Sequence, residues 1–126
     1  MHHLAELKRY LNQQMPRLTD DKVHLFIVNG GYVNQHLEYT ARLLFLDCRH
    51  DPIFILNHIK LWLKKHHRHL KPNGSQIEIN FSSEVIDTNT FDLEIDFIQY
   101  DDLNINADTG EYVICDNTAH LKMLGL

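Results

Sequence analysis

Ten histidines in 126 residues make metal binding the first chemistry to consider. His66, His67 and His69 cluster at the end of a helical pattern, with His66 and His69 spaced to share one face. Two imidazoles so placed can grip a cation, but a site needs a third and fourth ligand, usually backed by carboxylates. No His-Glu-x-x-His or similar second motif supplies them. The cluster therefore reads as solvated histidines at a helix C-terminus, where positive charge suits the carbonyl end of the dipole. Cys48-Arg49-His50-Asp51 sets a thiol, an imidazole and a carboxylate side by side. A catalytic thiol needs its base within hydrogen-bond reach and an oxyanion site, and adjacency in sequence provides neither. Asp102-x-Asn104-x-Asn106-x-Asp108 imitates a calcium loop, but Ala107 stands where the loop needs Gly and Val113 where it needs Glu. There is no phosphate-cradling Gly-rich loop and no dinucleotide fingerprint. No metal and no other cofactor is expected, and an enzyme using His66 and His69 or Cys48 stands as an alternative reading.

Charge is the stronger signal. The net charge of -5 divides unevenly: residues 1–72 hold 11 Lys or Arg against 6 Asp or Glu, while residues 73–126 hold Lys122 against 11 acids. Such asymmetry marks a protein that meets something charged. Lys60, Lys64, Lys65, Arg68 and Lys71 surround Trp62 and could contact phosphates, a further alternative. Trp62 falls on the apolar stripe, however, and the acidic balance disfavours nucleic-acid binding, so a solvated helix face is expected. In the second half Asp92, Glu94 and Asp96 alternate with apolar residues, and Glu78 lies on the strand expected to pair with them. Alternation puts these acids on one sheet face, and no Lys or Arg lies between Gln76 and Tyr100 to offset them. Directly opposed like charges destabilise a sheet by up to about 1 kcal/mol per pair. Lys60, Lys64, Lys65 and Arg68 on one side, and Asp92, Glu94 and Asp96 on the other, are therefore the candidate interface residues.

These side chains must be held by elements that the pattern also reveals. Leu4, Leu7 and Leu11 predict a first helix, ended by Pro16. Val23 to Val28 predicts a strand, with a turn at Asn29-Gly30-Gly31. Leu37 to Cys48 predicts a longer strand whose Tyr39, Ala41, Leu43 and Phe45 share one face; Leu44 and Leu46 suggest burial on both sides at its far end. Asp51-Pro52 opens a second helix, with Asp as the cap and Pro where no amide is needed. Ile55, Ile59, Trp62, Leu63 and His66 form its stripe, Lys64, Lys65 and Arg68 its last turns, and Pro72-Asn73-Gly74 its end. Ile77, Ile79 and Phe81, then Leu93, Ile95 and Phe97, predict a hairpin around residues 87–90, with a short strand from Glu111 to Cys115. The sum is one α+β domain over residues 1–126, a largely antiparallel sheet with two helices packed on one face. No apolar run approaches the ~20 residues of a membrane span, and the N-terminus lacks a signal-peptide layout. Cys48 and Cys115 are thus expected to remain thiols in a reducing cytosol.

The order of segments carries a resemblance. The strand and turn Leu25 to Gly31, the strand Tyr39 to Asp47 leading into Ile59-Lys60-Leu61-Trp62-Leu63, and the hairpin Thr90 to Ile95 resemble the tail completion protein R family of contractile-tailed temperate phages. With the leading helix they cover residues 1 to about 105, and the C-terminal stretch departs from the family's longer, proline-rich tail. The resemblance implies a structural, non-enzymatic subunit that ends tail-tube growth and offers a surface for head-tail joining. It implies a homo-oligomeric ring, commonly a hexamer, with tail tube and head-connector proteins as partners and neither membrane nor specific nucleic acid. Its place would be the host cytoplasm during assembly and then the virion tail. In such a ring the acidic row would either pair with a neighbour's basic helix end or face the lumen and keep passing DNA from sticking.

Overall fold

The computed structural model describes residues 3–66 and 68–114. Its elements are α1 (His3–Gln14), β1 (Val23–Val33), β2 (His36–Cys48), α2 (Pro52–Lys65), β3 (Ile79–Val85), β4 (Phe91–Ile105) and β5 (Tyr112–Ile114). All strand pairings are antiparallel, in the order β1-β2-β4-β3, with β5 added to the far end of β4. The architecture is the α+β layer implied by the sequence.

The core forms where two periodicities meet. Leu4, Leu7 and Leu11 on α1, and Ile55, Ile59, Trp62 and Leu63 on α2, pack on Tyr39, Ala41, Leu43 and Phe45 of β2 and Leu93, Ile95 and Phe97 of β4. Both helices therefore lie on one side of the sheet. Pairing sets Ala41 opposite Phe97, Leu43 opposite Ile95 and Phe45 opposite Leu93. A one-residue slip would turn the whole row to the other face, so burial fixes the register. At the start of α2 the Ile53 amide donates to Asp51 Oδ1 at 3.0 Å, with Pro52 in the first turn.

Three expectations are corrected. The segment Asn29-Gly30-Gly31 is no turn: β1 runs through it, with a register shift between Ile27 and Asn29, and the chain reverses at Asn34-Gln35. Asn34 takes the left-handed conformation there (φ 55°), which Asn tolerates better than most residues. Gly30 serves close approach instead. A Cβ on it would lie 3.2 Å from the Glu38 carbonyl oxygen and 3.3 Å from Tyr39 Cβ, whereas one on Gly31 would meet nothing within 4 Å. Gly30→Val should thus destabilise by about 1–3 kcal/mol in thermal or urea unfolding, with Gly31→Val well below it. Second, α2 stops at Lys65, where the Arg68 amide closes on the Leu63 carbonyl at 2.8 Å. Pro72-Asn73-Gly74 instead forms the turn of a small hairpin, with Lys71 donating to Ser75 at 2.7 Å and Gly74 at φ 88°. Third, Leu44 and Leu46 are only half-buried, because among the described residues no helix covers their side of the sheet.

The helix layer is shorter than the sheet. The buried row on β4 ends at Asp101, while β4 continues to Ile105. Beyond that point the β1–β2 hairpin, the end of β4 and β5 form an arm whose Tyr32, Val33, Tyr112 and Val113 are exposed. Among the described residues no helix is long and apolar enough to cross a membrane.

Candidate functional site

The candidate residues divide among three surfaces and one interior cluster. Lys60 and Lys64, one turn apart on α2, stand exposed at the rim of a groove between α2 and β3. The groove has a volume of about 440 Å³ and a floor of Leu56, Leu63, Ile77, Ile79 and Phe81. Lys65 is exposed at the helix end. Arg68 is not part of this patch. It leaves the helix and turns inward, its Nη1 donating to Asp101 Oδ1 at 2.7 Å.

Asp92, Glu94 and Asp96 do share the helix-free face, as alternation requires. They are not uncompensated, because the neighbouring strand supplies the cation. Arg42 on β2 sits opposite Asp96 and binds it through two hydrogen bonds, 2.8 and 2.9 Å, with Glu94 3.3 Å away. Asp92 Oδ1 accepts from the Asp47 amide at 3.0 Å. Glu78 lies before β3 begins, and Asn80 is the residue paired with Asp96. Arg42 lies 54 residues from Asp96 in sequence and is adjacent only across the ladder, so the hairpin pattern alone does not reveal it.

The chemistry-bearing motifs come apart. Cys48 is buried, its Sγ donating to the His50 backbone carbonyl at 3.8 Å, and burial pushes the thiol up, opposite to the shift a nucleophile needs. His66 packs its ring on Trp62 with centroids 4.4 Å apart, and His69 lies beyond the helix end, so the two do not share a helical face. Among the described residues no group of three or more His, Cys, Asp or Glu is arranged to hold a metal. His67 and Cys115 lie outside the described residues. The 102–108 segment is the end of β4 and a polar turn, in which Asn106 Oδ1 accepts from the Asp108 amide at 3.0 Å.

The interior cluster contains residues that the sequence motifs do not single out. The inward row of β4 passes from Leu93, Ile95 and Phe97 to Gln99 and Asp101, both almost fully buried. Tyr39 donates to Asp101 Oδ2 at 3.2 Å, and Gln99 Nε2 donates to the carbonyls of Arg68 at 3.2 Å and Ile98 at 3.0 Å. That orients Gln99 Oε1 towards His3 Nε2, 3.3 Å away, and the His3 ring stacks near Trp62. Burial, with the Arg68 guanidinium adding to it, lowers His3 to about 4. Burial alone would raise the Asp101 carboxyl, yet nearby positive charge, that of Arg68 included, holds it below the usual range. Burial and the Asp101 charge push the Tyr39 phenol upward. The signal was in the sequence: polar side chains continuing an apolar period-two row must be buried and bonded. The cluster fastens α1, β2, β4 and the segment after α2.

No curated protein and no solved structure matches the chain. The family model described as P2 phage tail completion protein R (GpR) matches residues 1–120, further towards the C-terminus than the resemblance alone had reached. With nearly its whole length matched, the chain belongs to the P2 phage tail completion protein R family.

Proposed function

We propose that the protein terminates the tail tube as a homo-oligomeric ring, a hexamer in the simplest case, and presents a surface to which the head connector joins. It works by surface complementarity, without bond-making chemistry, first in the host cytoplasm and then as part of the virion tail. The observation that carries this reading is the two-sidedness of the sheet. One face is sealed by α1 and α2, while the other, with Phe26, Leu44, Leu46, Ile98 and Tyr100 beside the Arg42 ion pairs, has no covering layer among the described residues. A half-apolar face of this kind suits docking on another protein.

Tail tubes grown without the protein should vary in length, and adding it should place a ring at one end of each tube in negative-stain images. Tubes that remain bare and unbounded would overturn the reading. Lys64→Glu with Lys65→Glu, both exposed, should lower the yield of completed tails about tenfold at limiting protein while leaving the melting temperature unchanged. Unimpaired completion would remove the helix end from the interface.

A further inference from the structure

Two apolar surfaces that no described residue covers lie on the helix side of the sheet, at separate places on the molecule. Resting on the ring reading above, we propose that the arm of one copy docks in the α2–β3 groove of the next copy, head to tail. On the groove side, Phe81 is 57% exposed even though its register sets it on the helix side, opposite buried Ile95. The helix layer stops short of β3, which is an edge strand in the sheet order, and leaves the groove floor open. An edge strand also has backbone groups free to meet an extended partner. Lys60 and Lys64 make the rim cationic.

The arm is the complement. Leu37 shares the inward face with Asp101, and alternation along β4 carries that face to Leu103 and Ile105. Tyr112, opposite Ile105, and Tyr32, opposite Leu37, extend it. Both tyrosines are 55% exposed, so the arm carries an apolar strip that nothing among the described residues covers. Asp108 and Glu111 stand exposed at its tip, and residues 73–114 contain no Lys or Arg to offset them. An acid-tipped apolar strip and a lysine-rimmed apolar groove are matched in charge. The strip and the groove are unlike each other and occur in one chain, so their pairing is heterologous, repeats from copy to copy and closes when the rotation permits. The Asp92-Glu94-Asp96 row is a poorer match for the lysines, since Arg42 and the Asp47 amide already engage it.

The test uses the full chain. With Cys48→Ala and Cys115→Ser as background, Phe81→Cys together with Tyr112→Cys should give an oxidation-dependent ladder of covalent multimers, and either cysteine alone should give none. Lys60→Glu with Lys64→Glu, or Asp108→Lys with Glu111→Lys, should raise the concentration for half-assembly at least tenfold, measured by sedimentation or on tail tubes. The four changes together should restore it to within about threefold of the native chain. Native rings that assemble with no ladder, and are indifferent to both charge reversals, would overturn the arm-in-groove contact and leave the ring reading standing. Cross-links from Tyr112→Cys to a tube or connector subunit instead of a second copy would also overturn it. A native chain that forms no ring, free or on tubes, would overturn the ring reading itself and this contact with it.

Discussion

Replacing Asp101 with alanine should destabilise the folded chain by about 3 kcal/mol and lower its melting temperature by roughly 10 °C. Asp101 accepts from the Tyr39 hydroxyl and from Arg68, and its side chain is almost wholly withdrawn from water. Its removal takes the carboxylate from the largely buried Arg68 guanidinium and leaves the Tyr39 hydroxyl with its 3.3 Å contact to His3 Nε2, and an under-bonded buried donor costs more than its bond had contributed. Asp101→Asn keeps an acceptor for Tyr39 and should cost about half as much. A double-mutant cycle with Arg68→Met should show coupling above 1 kcal/mol, because the two side chains share one contact. A loss below about 1 kcal/mol for Asp101→Ala, in urea unfolding near neutral pH, would show that the cluster is not what fastens the helix layer to the sheet.

Acid should unfold this chain from the same place. His3 is held at about 4 when folded, against 6.5 for the free side chain. Between those values the unfolded chain takes up a proton that the folded chain refuses, so stability falls as pH drops from about 6.5 towards 4 and is fully present above that window. The contribution is on the order of 1–2 kcal/mol once partial solvent screening is allowed for. Asp101, also depressed, adds stability that is present above the ordinary carboxylate pKa and is lost as pH falls through its lower folded value. Both effects have the same sign, and they act in succession. Unfolding free energies measured from pH 7.5 to 4.5 should decline for the native chain and decline less for His3→Gln, which carries no titrating proton. Identical slopes would place the acid sensitivity elsewhere.

What the sequence disclosed follows from the range of each physical rule. Periodicity and capping are local, so the leucine spacing of α1, the Asp51-Pro52 start of α2 and the inward rows of β2 and β4 could be read directly. The turn at Asn29-Gly30-Gly31 was misplaced because glycine permits two uses, reversal and close approach, and only the partner strand shows that Tyr39 demands the second. Arg68 was misassigned to the helix because its destination, Asp101, lies 33 residues away. Arg42 escaped for the same reason, since its acids are brought beside it only by the β2–β4 register. The interior cluster is legible as a continuation: Gln99 and Asp101 fall on the same alternation as Phe97, past the last apolar member of the row. The interface residues are another matter. A surface charge declares nothing about what it will meet, and only the groove beside Lys60 and Lys64 gives those two a setting that Lys65 lacks.

One strand belongs to two parts of the molecule. At about 3.3 Å per residue, β4 extends roughly 50 Å, paired at one end beneath the helices and at the other within the arm. No linker separates the two, so the arm has no hinge on which to swivel. In any array joined through it, the angle from one subunit to the next is set by the twist of the sheet, which is itself fixed by side chains packed in the core. The size at which such an array closes would then be written into the interior of each subunit, far from the surfaces that touch.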